Sequence, residues 1–232
     1  MQSFPDGFRA LVLGSSGAIG AAALQQLQQH PRCGLAIGLH RRSQPALDFD
    51  QPQQLALTAQ ALAGQGPFHL VLNATGSLHG EGLRPEKRLA ELDAERLARS
   101  FLVNAIGPAL VLRHFTPLLD RQRAVLAVLS ARVGSIGDNR LGGWYGYRSA
   151  KAALNMLLKT AAIETARLNP AAVLLALHPG TVRTALSSPF SKDGLEVQTP
   201  QTSAARLLGV IDDLSADQSG GFFDHLGVAI VW

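Results

Sequence analysis

The chain of 232 residues has a single cysteine, Cys33. No intrachain disulfide can form, and the composition fits a reducing, cytoplasmic setting. No activating neighbour belongs to Cys33 by motif, so a packed thiol is expected there rather than a nucleophile. Aromatic residues are only 6%, and no basic run is longer than Arg41-Arg42 although the net charge is +4. Nucleic-acid binding would need clustered cations, so no nucleic-acid partner is expected. No apolar run approaches the roughly 18 residues of a membrane span. Met1 to Gly7 lacks a basic stretch followed by an apolar core, so neither a membrane association nor a secretory leader is expected. Seven histidines are present, but no two share ligand spacing on one predicted helix and none pairs with Cys33, which argues against a metal.

What the chain does have is alternation. Apolar runs of strand length at Ala10 to Leu13, Leu35 to Leu39, His69 to Leu72, Ala124 to Leu129 and Val173 to Leu177 are separated by longer helix-like stretches. Strands that are almost continuously apolar are covered on both faces. The pattern therefore predicts an α/β fold over residues 1–232: one Rossmann-type domain, a doubly wound parallel sheet with helices on both faces. Helices are expected over Glu95 to Leu119 and Tyr147 to Arg167, the latter ended by Asn169-Pro170. Thr199-Pro200 reads as the cap and first residue of a helix running to about Leu214. Only about six residues separate the end of the second strand from Leu47-Asp48-Phe49-Asp50, whereas a parallel crossover takes a dozen or more. That crossover is thus shortened, with a short edge strand or an extended loop to follow, and Asp50 is expected to cap a helix beginning near Pro52.

Two motifs carry chemistry. Gly14-Ser15-Ser16-Gly17-Ala18-Ile19-Gly20 joins the first strand to a helix expected over Ala18 to Gln29. Bare glycines at such a turn let backbone N–H groups approach a pyrophosphate at a helix N-terminus. Tyr147 and Lys151 lie four apart at the start of a helix and so share a face. A permanent cation there is expected to draw the phenol below its ordinary value of about 10. Tyr145 has Ser149 in that relation and no cation. Past the second strand, His40-Arg41-Arg42 contains no acid to accept an adenosine 2′-hydroxyl, whereas arginine suits a 2′-phosphate.

Together these motifs resemble the short-chain dehydrogenase/reductase family, over nearly the whole chain. Asn73-Ala74-Thr75-Gly76 is similar to the family's Asn-Asn-Ala-Gly turn, with Ala74 replacing the second asparagine. Asn104 matches the helix asparagine of the active site, and Pro179-Gly180, Val182 and Thr184 match the segment holding the nicotinamide. Gly134 to Tyr147 and Gly221 to Trp232 resemble the C-factor-like and sniffer-like carbonyl reductase branch. The resemblance implies NADP(H) in preference to NAD(H), with Asp48 at the adenine. It implies a small carbonyl substrate (an aldehyde, ketone or quinone), reduced with Tyr147 as general acid, Lys151 on the nicotinamide ribose and Asn104 anchoring a relay water. It also implies a homodimer or homotetramer built on the helices near Glu95 to Leu119 and Tyr147 to Arg167.

The family's carbonyl-polarising serine is where the chain departs most. Ser130-Ala131-Arg132-Val133-Gly134 stands where Ser-Ser-x-x-Gly is usual, which puts Ala131 at the catalytic position. Ser130 remains a candidate if a one-residue bulge turns it inward, and Ser135 if the loop carries it to the site. Three functions follow: a carbonyl reductase, a nucleotide-binding sensor with weak catalysis, or an isomerase or lyase that uses the dinucleotide transiently. The loops Ser77 to Leu89 and Ala185 to Gln198 would line the substrate site.

Overall fold

A computed structural model describes residues 1–80, 83–184 and 197–232. Its main elements are β1 (Phe8–Leu13), α1 (Ala18–Gln29), β2 (Cys33–Leu39), α2 (Gln54–Leu62), β3 (Leu70–Asn73), α3 (Ala94–Phe101), α4 (Gly107–Phe115), β4 (Ala124–Leu129), α5 (Tyr145–Leu168), β5 (Ala172–His178), β6 (Thr181–Val182), β7 (Val197–Gln198), α6 (Pro200–Asp213) and β8 (Gly221–Asp224). Six strands pair in the order β2-β1-β3-β4-β5-β8, every pair parallel, while β6 and β7 form a separate two-stranded ladder.

Alternate residues of each strand feed two cores, which is why the strands read as unbroken apolar runs. Leu11, Val71, Leu126 and Leu174 pack with Leu112 of α4 and with Leu154 and Leu158 of α5. Val12, Leu72, Ala127 and Leu175 pack with Ala23 and Leu27 of α1 and with Leu207 and Ile211 of α6. The chain leaves β1 for β2 on one side and returns to β3 on the other. The crevice beyond the carboxyl ends of β1 and β3 is the ligand position of such sheets.

The structure alters several expectations. The 41–50 segment is a loop: the His40 carbonyl accepts from the Ser43 and Leu47 amides, and no strand forms outside β2 among the described residues. Asp50 does not cap α2, which begins at Gln54 without a side-chain cap; it pairs instead with Arg99 of α3, and that guanidinium lowers its pKa. The helix expected over Glu95 to Leu119 is two helices joined by a π turn, Leu102–Ile106, in which the Gly107 amide donates to the Leu102 carbonyl. By length and composition Ala94–Leu118 could cross a membrane (mean hydropathy 1.2), yet Val111, Leu112 and Phe115 bury it against the sheet. Helix α5 starts at Tyr145 rather than Tyr147. Thr199 does cap α6, accepting from the Thr202 amide at 3.1 Å. Strand β8 was absent from the sequence expectation; its four residues are too few to show a period. The loop expected over Ala185 to Gln198 lies outside the described residues apart from Val197 and Gln198, as do residues 81 and 82 of the loop before α3.

Candidate functional site

Gly14 sits where β1 turns toward α1. Its φ is +82, and a Cβ there would meet the Ala74 backbone at 3.0 Å, so the two carboxyl-end turns touch only because position 14 has no side chain. Helix α1 begins at Ala18 behind Gly17, which supplies no side-chain cap, so its first amides remain available at the crevice. Ser15 Oγ donates to the Leu39 carbonyl at 3.2 Å and ties this turn to β2. Asn73 ends β3 fully buried; its Oδ1 accepts from the Thr75 amide and hydroxyl at 3.1 and 2.6 Å, shaping the turn through Gly76.

These turns open on two cavities at the same sheet edge. The first, about 450 Å³, is lined by Gly14, Ser16, Gly17, Arg41, Asp48, Ala74, Thr75, Gly76 and Arg99. Arg42 is not among its lining residues; its amide donates to His40 Nδ1. The second cavity, about 430 Å³, is walled by Ile19, Leu78, Val133, Trp144 and Val182, and reaches Tyr147, Ser130, Ala131, His178, Pro179, Gly180 and Thr184. Helix residues Ala18 and Gly20 shape the α1 entry without lining either cavity.

Between the cavities the helices close in. Asn104, buried in the π turn, grips the Ser77 backbone with both ends of its amide: Nδ2 donates to the carbonyl at 2.8 Å and Oδ1 accepts from the amide at 3.0 Å. A Cβ on Gly76 would lie 3.2 Å from Asn104 Oδ1 and 3.4 Å from Lys151 Nζ, so Asn104 and Lys151 converge on this glycine. Lys151 is 2% exposed and donates to the Leu129 carbonyl at 2.8 Å. Its Nζ is 5.7 Å from the centre of the Tyr147 ring.

The expected pull of Lys151 on the phenol is overturned by burial. Removal from water pushes Tyr147 up to about 12 and Lys151 down to about 7, because both charged forms lose hydration that a neighbour 5.7 Å from the ring centre does not replace. Tyr147 therefore holds its proton at neutral pH, while Lys151 titrates near neutrality.

Neither rescue of the family serine takes place. Ser130 continues the ladder, its amide donating to the Leu177 carbonyl at 2.8 Å, and Ala131 is extended, so no bulge intervenes. Ser130 Oγ is committed to Asn155 Oδ1 of α5 at 2.6 Å. Ser135 is buried outside the Tyr147 cavity, and its Oγ accepts from the Asp138 amide at 3.1 Å.

Sequence reasoning missed Glu86. This buried residue accepts the Gly146 amide on Oε2 at 3.0 Å and the Trp144 amide on its carbonyl, holding the start of α5 immediately before Tyr147. Trp144 is left-handed there (φ 53), with its ring 6.4 Å from that of Tyr147. No local signal marks Glu86, since the helix it serves begins about sixty residues later. His178 was missed too, although a polar residue closing the apolar strand β5 was a visible signal.

Residues 6–194 match the model of a family described as short chain dehydrogenase. A 1-hydroxy-2-glutathionyl-2-methyl-3-butene dehydrogenase of Rhodococcus sp. (strain AD45) is 32% identical over 189 residues, covering 82% of this chain and 80% of its own. The C-signal protein of Myxococcus xanthus is 37% identical over 148 residues, 62% of this chain and 83% of its own. Among solved structures, the NADPH-bound carbonyl reductase from chicken fatty liver superposes with a TM-score of 0.85 at 21% identity, covering 99% of this chain and 96% of that one. At that identity the likeness concerns the fold. A carbonyl reductase of Pseudomonas aeruginosa PAO1 gives 0.78 at 25% identity, covering 97% and 100%.

Proposed function

The chain belongs to the short-chain dehydrogenase family, and from that premise we propose that it is an NADPH-dependent reductase of small aldehydes, ketones or quinones. The observation that carries the reading is the pairing of two cavities across one glycine turn: the more polar one under the α1 N-terminus and the more apolar one reaching Tyr147. The first fits a dinucleotide. Uncapped amides at Ala18 suit its pyrophosphate, Asp48 its adenosine, and Arg41, with no acid at 40–42, its 2′-phosphate. NADPH in the chicken structure supports the same choice. Bound there, the reduced nicotinamide supplies hydride.

The chain's own residues do the rest. Pro179-Gly180, Val182 and the Gly76 turn hold the nicotinamide side, and Lys151, converging on Gly76 with Asn104, takes the ribose hydroxyls. The apolar walls at Ile19, Leu78 and Val182 exclude water from the carbonyl. Tyr147, protonated at neutral pH, gives its proton to the carbonyl oxygen as general acid, and Lys151, titrating near neutrality, can pass a proton back. The absence of a serine donor at Ala131 favours the second reading, a nucleotide sensor with weak catalysis.

Absorbance of the reduced nicotinamide, followed over a panel of aldehydes, ketones and quinones, tests the proposal. Turnover is expected on at least one compound, and Tyr147→Phe should cut it by about 10²-fold or more while nucleotide affinity holds. No turnover on any member would refute it, and a variant keeping half of wild-type activity would remove Tyr147 from its role.

We further propose a homodimer or homotetramer across α4 and α5. Met156, Leu157, Ile163 and Leu168 are exposed on α5, and a groove of about 550 Å³ runs between the two helices. A monomeric mass by light scattering at micromolar concentration would refute it.

A further inference from the structure

A carbonyl taking up hydride develops negative charge on oxygen, and two donors hold that charge better than one. Tyr147 is one donor. At the usual place of the other, Ala131 offers a methyl group, and the neighbouring hydroxyl of Ser130 is spent on Asn155. The cations that line the cavity are placed otherwise: Arg148 donates to the Gly142, Gly143 and Val133 carbonyls, Arg132 pairs with Asp138 and Asp224, and Arg140 is exposed and donates to the Asn139 carbonyl at 3.4 Å.

His178 is different. It closes β5 opposite Asp224 of β8. It has the strand parity of Leu174 and Ala176, which face the α5 side, and it lines the cavity that Tyr147 lines. Its Nδ1 is buried with no partner among the described residues. A buried orphan N–H is costlier to keep than a buried orphan acceptor, which favours the tautomer with a bare Nδ1 and the proton on Nε2. His225 packs edge-on at 6.4 Å and sets the attitude of the ring. Burial first, then the positive charge of Arg132 and the neighbouring His225, push the imidazole pKa down to about 4. It is therefore a neutral donor that does not compete with Tyr147 to release a proton.

We propose that His178 Nε2–H supplies the second hydrogen bond to the substrate's carbonyl oxygen, in place of the serine hydroxyl that this chain lacks. The inference rests on the reductase reading above. As hydride reaches the carbonyl carbon from the reduced dinucleotide, which is left oxidised, the carbonyl π pair moves onto oxygen. That oxygen takes the Tyr147 proton, and His178 keeps its own throughout. The displaced serine then marks a relocated donor rather than a lost activity.

Nitrogen-15 NMR of the wild-type protein tests the tautomer without any substitution: a protonated Nε2 and a bare Nδ1 on His178 are expected, and the reverse overturns the proposal. With 4-nitrobenzaldehyde and NADPH, His178→Phe should lower kcat by about 10²-fold or more, and His178→Gln, which keeps a donor, should recover at least about tenfold of that loss. In an Ala131→Ser background the same His178→Phe change should cost less than about tenfold, because the serine restores the donor. Equal losses in the two backgrounds, or an unaltered kcat, would overturn the role of His178 and leave the reductase reading standing. The infrared carbonyl stretch of 4-nitrobenzaldehyde bound to Tyr147→Phe with NADP⁺ should move to lower frequency. That shift should shrink when His178→Phe is added, and an unchanged stretch counts against the hydrogen bond. A protein that reduces no aldehyde, ketone or quinone even as Ala131→Ser overturns the reductase reading, and His178 with it.

Discussion

Replacing Lys151 by methionine should make the nucleotide-free protein more stable while ending its catalysis. Burial moves the ammonium from its ordinary 10.5 to about 7, and each unit corresponds to ~1.36 kcal/mol. At pH 7 the unfolded lysine is fully protonated and the folded one about half so, which places roughly 4 kcal/mol against the native state. Methionine is similar in length and carries no charge. Against the gain stands the lost bond from Nζ to the Leu129 carbonyl and the stranding of that acceptor, together about 1–2 kcal/mol. A net gain of about 2–3 kcal/mol remains, a rise of about 5–10 °C in Tm for a chain of this size. The pH dependence has a definite sign. Between about pH 7 and 10.5 the unfolded state binds a proton that the native state does not, so the wild type gains stability as pH rises through that window and the variant does not. The gap between them should therefore narrow toward high pH. Urea and thermal unfolding at pH 7 and pH 9.5 measure both quantities. A variant less stable than wild type at pH 7, or a gap that does not change with pH, would refute the burial argument.

Other outcomes follow from the same geometry. Arg41→Ala with Arg42→Ala should abolish a preference for NADPH over NADH of at least about tenfold, equivalent to ~1.4 kcal/mol; fluorescence titration of each nucleotide checks it, and since Arg41 lines the cavity and Arg42 does not, Arg41→Ala alone should carry most of the effect. Glu86→Ala should strand the buried Gly146 amide at a cost of about 1–3 kcal/mol and lower kcat through the displaced Tyr147, read by denaturant titration beside kinetics. Ser130→Ala should cost about 1–2 kcal/mol in stability by leaving Asn155 Oδ1 unpaired; a loss of turnover far beyond that of His178→Phe would return Ser130 to the catalytic set.

The sheet was legible because its strands are buried on both faces, so Ala124 to Leu129 or Val173 to Leu177 needs no tertiary knowledge to be read. The cap at Thr199-Pro200 and the break at Asn169-Pro170 were legible because caps are local. Partnerships were not. Asp50 looked like a cap because its neighbours in sequence are turn-like, but Arg99, from a helix that starts more than forty residues later, takes it. The Tyr147 and Lys151 pair was found by spacing, yet its electrostatics came out reversed, since spacing reports proximity and says nothing of how much water surrounds the pair. The motif puts Ala131 at the gap in the serine pattern, and Ala131 lines the Tyr147 cavity beside Ser130. The donor proposed for that gap, His178, closes a different strand, and strand adjacency is written nowhere near residue 131.

The π turn at Leu102–Ile106 has a consequence for how this helix can vary. Each helical residue advances the chain by about 100° around the axis. Arg99, before the turn, points to Asp50, whereas Val111, Leu112 and Phe115, after it, point into the core. Both aims are met only because one surplus residue sits between them. Deleting any residue of the turn would give a more regular helix with better hydrogen bonds, and would swing one half by about 100° relative to the other, so that either the ion pair or the core face is lost. Substitutions at the turn's other positions act one side chain at a time, whereas Asn104 is held by its bonds to Ser77, and the residue count cannot change without breaking the phase between the Arg99 side of the helix and its foundation.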